Sequence, residues 1–118
     1  MNLKFLIVLT ISCSFFSCSN NSTDDLTEPP AEIISYNKDI APIISSNCIF
    51  CHTNPPVNGA PMSLSTYDNV KDAIKTRGLL DRISRAQGAP GMMPNGGMKL
   101  PQSSIDKIIK WQTDGFIQ

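Results

Sequence analysis

Cys48-Ile49-Phe50-Cys51-His52 holds the single histidine of a 118-residue chain and two of its four cysteines. On one helical turn, two thiols three residues apart project from the same side, and the next residue sets an imidazole beside them. The pattern is local and complete within five positions, so its chemistry can be weighed before any fold is assumed.

A C-x-x-C-H spacing suits two thioether bonds to the vinyl groups of a haem, with the imidazole on its iron. Zinc would need further Cys or His ligands, and the domain has no second cysteine pair and no other histidine. A thioredoxin-like dithiol would need alternating strands and helices, a pattern absent here. The expectation is one covalent haem c on Cys48 and Cys51, with His52 as an iron ligand.

Upstream, Ile40, Ile43 and Ile44 recur at helical spacing, with Asp39 as the expected N-cap and Pro42 in the first turn. Downstream, Thr53 to Pro61 is loop chemistry that should wrap the haem edge. A carbonyl there, at Pro55 or Pro56, is expected to accept from His52 Nδ1 and leave Nε2 for iron. Ser65-Thr66-Tyr67-Asp68 reads as a helix cap, followed by Tyr67, Val70 and Ile74 at helical intervals until Gly78; Leu79 to Ile83 adds a short turn. Ser103-Ser104-Ile105-Asp106 repeats the capping pattern. It opens a helix with Ile105, Ile108, Ile109 and Gln112 on one face and Trp111 as core, closed by Gly115 and packed on the first helix. The fold class expected is therefore all-α.

Between these helices, Gly88 to Gly97 is dense in glycine and proline around Met92-Met93-Pro94. A thioether is a soft, neutral donor that raises the potential of a histidine-ligated haem. Met93 is the first candidate for the other axial position because the following proline can fix its approach. Met92 and Met98 are the alternatives, and plain apolar filler is the competing use of all three. Arg82, with Arg77 and Arg85 nearby, is a candidate partner for haem propionates; a solvated surface charge is its other reading.

The N-terminal third is different in kind. Residues 1–17 read as an export signal of lipoprotein type, with Lys4 before an apolar run from Phe5 to Ile11 that is too short to span a bilayer. Ser14-Phe15-Phe16-Ser17-Cys18 resembles a lipobox, making Cys18 the lipidation candidate. Cys13 is the competing position, and an ordinary cleaved signal is the other reading. Acyl chains on Cys18 would hold the mature chain on a membrane, since each buried methylene contributes about 0.8 kcal/mol. Residues 18–35, polar and acidic with Pro29-Pro30, are expected to be a disordered tether. That leaves 36–118 as one small domain. Charge excludes little beyond nucleic acid: ten basic residues balance ten acidic ones without a basic run.

From Tyr36 to Gln118 the chain resembles the class I (mono-haem) cytochrome c domain. The resemblance is carried by Y-N-K-D-I-A-P-I-I running into C-I-F-C-H, by Met93-Pro94 before Gly96-Gly97, and by I-D-K-I-I-K-W-Q-T-D-G at the end. One departure is Gln112, where the family commonly has an apolar residue after the tryptophan. The resemblance implies a cytochrome c-like fold whose N- and C-terminal helices cross beside one haem ligated by His52 and the Met-Pro methionine. It implies an electron carrier rather than an enzyme, and the lipobox reading at Cys18 would tether it to the periplasmic or cell-surface face of a bacterial membrane. Its partners would be redox proteins: a reductase as donor and an oxidase or another enzyme as acceptor. The alternative class is a peroxidase-like enzyme or a gas or redox sensor with an open sixth iron position. Distal acid–base groups are then needed, and there is no second histidine to serve.

Overall fold

Helical structure begins at Ser35, four residues before the expected cap. The computed structural model describes residues 32–118; the export segment 1–17, Cys18 and most of the expected tether lie outside the described residues. Ser35 Oγ accepts from Lys38 N–H, and Asp39 Oδ2 accepts from Ser35 N–H at 3.0 Å, a reciprocal cap. A wide π-type turn, Tyr36–Ile40, then leads directly into α1 (Ala41–Asn47). Pro42 sits in the first turn of α1, as expected, while the π-type turn before it makes the helical stretch continuous and moves the cap from Asp39 to Ser35. A regular helix would drive its ring against the Lys38 carbonyl, and the widened turn just before it relieves that clash. The packed chain also starts before position 36, since Ile34 is only 1% exposed.

Three further helices follow: α2 (Tyr67–Thr76), α3 (Leu79–Ser84) and α4 (Gln102–Thr113). No strand occurs among the described residues, so the all-α expectation holds. Thr66 caps α2 by accepting from Asn69 N–H at 3.2 Å. Gly78, left-handed at φ 68°, joins α2 to α3 in a conformation that side chains other than glycine rarely take. The serines expected to cap α4 lie within its first turn instead. Pro101 precedes it with φ −53° and ψ 143°, and the Pro101 carbonyl accepts from Ser104 and Ile105. No described helix is long and apolar enough to cross a membrane.

α4 packs against α3 and against the π-type turn. Its buried stripe is Ile105, Ile108 and Trp111, whereas Ile109 and Gln112 face solvent. Gln112 therefore costs the core nothing. Lys107 Nζ lies 3.8 Å from the buried Asp39 Oδ1 and ties α4 to the start of the chain. Trp111 is fully buried at the centre of an aromatic cluster. Tyr67 and Phe116 meet it edge-on at centroid distances of 5.7 and 4.9 Å, and Tyr36 lies tilted at 5.5 Å.

The last residues close this cluster. The Ile117 carbonyl accepts from both Trp111 Nε1 (2.6 Å) and Tyr36 N–H (2.8 Å), and the Phe116 carbonyl accepts from Tyr67 OH (2.7 Å). Replacing Trp111 by alanine should cost about 3–5 kcal/mol of unfolding free energy in a denaturant titration. A loss under about 1 kcal/mol would show that the tryptophan is peripheral.

Candidate functional site

Helix α1 runs straight into the cysteine pair. Cys48 N–H donates to the Ile44 carbonyl, and the Cys48 carbonyl accepts from Cys51 (3.2 Å) and His52 (2.9 Å), so the five residues form one more helical turn. Both thiols are free and partly buried, and Phe50 between them is 85% exposed. Burial pushes the Cys48 thiol up to about 11, because the thiolate would lose its hydration. At neutral pH that thiol stays protonated, which makes it a poor redox-disulfide nucleophile. In chain lacking any attached group, Cys48 alkylation by iodoacetamide should rise with pH toward a midpoint near 11. At pH 7 it should be slower than at an ordinary cysteine by about two orders of magnitude. Peptide mass mapping across pH reads this directly, and a midpoint near 8.5 would contradict it.

His52 is 8% exposed. Its Nδ1 lies 2.8 Å from the Met62 carbonyl. A carbonyl only accepts, so Nδ1 is the donor, and in the neutral ring that tautomer puts the lone pair on Nε2. The expected acceptor was Pro55 or Pro56. The loop reverses through Asn58 and Gly59, both left-handed at φ 52° and 75°. It then returns beside His52, where Leu64 N–H donates to the His52 carbonyl at 2.8 Å. That register puts Met62, not the prolines, opposite the ring. Asn58 Nδ2 also reaches Cys51 Sγ at 3.7 Å.

Beside this turn lies a cavity of about 440 Å³. Its volume is within the range of small-molecule and cofactor sites. Cys48, His52, Met62 and Leu64 form one wall, α3 supplies Leu79 and Ile83, and Leu100 leads in from the start of α4. Met93 and Pro94 face it from the glycine-rich loop, and Arg77 and Arg82 add two guanidinium groups. A smaller recess of about 170 Å³ adjoins it, sharing Cys48, His52, Met93 and Pro94 and adding Cys51, Phe50 and Asn58.

The two thiols, the imidazole, Met93 and Arg82 are therefore brought to two adjoining recesses, Cys51 in the smaller and Arg82 in the larger, that share Cys48, His52 and Met93. The three candidate methionines separate cleanly: Met92 is buried and lines neither recess, Met98 is 80% exposed, and Met93 lines both. Met62 lines the larger cavity as well, and its side chain drew no attention in the sequence because nothing local marks it. The space offers an imidazole nitrogen and thioether sulfurs as metal ligands, two thiols for covalent attachment, apolar walls for a flat ring, and cationic groups for carboxylates. Compared with protein-family models, curated proteins and solved structures, the chain finds no match in any of the three.

Proposed function

We propose that the chain is a one-electron carrier holding one haem c in this cavity, covalently bound through Cys48 and Cys51 and ligated by His52 and Met93. The observation that carries the reading is the placement of both C-x-x-C thiols, the His52 imidazole and the Met93 thioether around two adjoining recesses, with Cys48, His52 and Met93 lining both and Cys51 lining the smaller. The site residues fit that group in chemistry as well as in place. The Met62 carbonyl holds the His52 ring through Nδ1 and so fixes its orientation. Leu64, Leu79, Ile83 and Leu100 exclude water, and Arg82 and Arg77 offer donors to carboxylates. Haem bound there supplies a ferric/ferrous couple, whose potential a thioether raises by favouring the ferrous form.

In this reading the fold is cytochrome c-like, with the α4 contact on the N-terminal helical stretch standing for the crossing of terminal helices. Donor and acceptor are redox proteins, and the chain is exported and lipid-anchored through Cys18. The test is an optical spectrum of protein purified from a host with haem-attachment machinery. Covalent haem with a methionine-to-ferric-iron charge-transfer band supports electron relay. Covalent haem that binds carbon monoxide or responds to peroxide supports the enzyme or sensor alternative, and haem-free stable protein rejects both.

A further inference from the structure

The loop carrying Met93 is fastened by Arg82 of α3 and by Arg85, the residue just after that helix, at the two residues that precede Met92. Asp81 Oδ2 accepts from Arg85 Nε (3.1 Å) and Nη2 (2.6 Å), and Arg85 Nη1 donates to the Pro90 carbonyl. Arg82 Nη1 donates to the Gly91 carbonyl at 3.2 Å, while the Arg82 carbonyl accepts from Met93 N–H at 3.1 Å. Two guanidinium groups thus converge on consecutive carbonyls, and the backbone of one of these arginines holds the methionine itself. Their crowding shows at Gly91, which has φ 71°: a Cβ there would collide with Nη1 of both arginines.

Exposed ion pairs and hydrogen bonds usually contribute little to stability, and the placement of these ones argues for another use. Bringing two cations together is unfavourable. Asp81 offsets one of them, and the forked, planar guanidinium lets Arg85 bind Asp81 and the loop at once. Arg82 also lines the cavity that Met93 faces. The arginines therefore join the rigid α3 to the segment whose position decides whether sulfur reaches a ligand in that cavity.

We infer that Arg82 and Arg85, braced by Asp81 and seated on Gly91, form a latch that positions Met93 as the sixth iron ligand. The latch rests on the His52/Met93 haem reading. Its residues are positioning residues that act through the loop, and a Cβ at Gly91 would push both guanidinium ends off their carbonyls.

The test uses the full haem-loaded chain in the ferric state. Added imidazole displaces the methionine, and disappearance of the methionine-to-iron band gives the rate. Gly91→Ala and the double variant Arg82→Gln/Arg85→Gln should lose the band about tenfold faster, as expected when charge-assisted hydrogen bonds to the loop are lost. Asp81→Asn, which unseats Arg85 without touching the loop, should accelerate it less. Lys75→Gln, removing one charge from exposed α2 surface, should match the parent. Denaturant midpoints of the arginine and Asp81→Asn variants should stay near the parent's, since none of these side chains belongs to the core. Gly91→Ala also carries the strain of a side chain at φ 71° and should lower the midpoint by itself. Parent-like displacement rates in both Gly91→Ala and the double arginine variant overturn the latch alone. A parent protein with covalent haem but no methionine band overturns the latch together with the ligand assignment beneath it.

Discussion

Chain in which Cys48 and Cys51 are both replaced by alanine will carry no haem through acid–acetone extraction, while the parent polypeptide will keep one after the same treatment. Both thiols line recesses that meet at His52 and Met93, so a macrocycle lying in that space would pass within reach of each. Each single variant should retain a single thioether link. Its alkaline pyridine spectrum should shift to longer wavelength, because one vinyl group stays conjugated with the ring. Stability should follow attachment: burying a few hundred Å² of ring against Leu64, Leu79, Ile83 and Leu100 contributes on the order of 5–10 kcal/mol, an upper bound. The double variant should accordingly unfold at much lower denaturant concentration. Intact-mass measurement decides the matter. A parent chain that gains no macrocycle when made alongside attachment machinery would remove the basis for every redox statement made above.

The parts of this molecule legible in the sequence are those set by neighbours within a turn or two. The C-x-x-C-H turn, a helix cap within residues 65–68 and the burial of Trp111 are of that kind, because spacing alone determines which side chains share a face. What escaped reading depends on where the chain returns from a distance. The Met62 carbonyl reaches His52 only because Asn58 and Gly59 reverse the loop with a particular register, and two prolines nearer in sequence were the more obvious acceptors. Pro42 does mark the first turn of α1, but nothing in a hydrophobic pattern announces the π-type turn ahead of it, which moves the cap from Asp39 to Ser35. The Ile117 carbonyl, which accepts from both Tyr36 and Trp111, is likewise invisible to side-chain patterns because it is backbone. Arg82 illustrates the same limit. Its type suggested a carboxylate partner, while its nearest fixed partner is the Gly91 carbonyl on the methionine loop.

Substituting alanine for Met93 will abolish the methionine-to-ferric-iron band, open the ferrous haem to carbon monoxide, and lower the reduction potential by on the order of 0.1 V. That drop is a modest part of the roughly 0.8 V that axial ligands span, and its sign follows from losing a soft donor that favours the reduced metal. The neighbouring methionines make the experiment specific. Met98→Ala should change neither spectrum nor stability, because the side chain is 80% exposed. Met92→Leu should keep the band and lose less than about 1.5 kcal/mol, as for a volume-conserving change at a buried site. Met62→Leu should also keep the band, since Met62 meets His52 through its backbone carbonyl and leucine retains that carbonyl. A parent protein that already binds carbon monoxide, with Met93→Ala indistinguishable from it, would mean that the sixth position is open. His52 would then be the sole protein ligand, and the chain would belong with gas sensors or peroxide-reactive haem proteins instead of electron carriers.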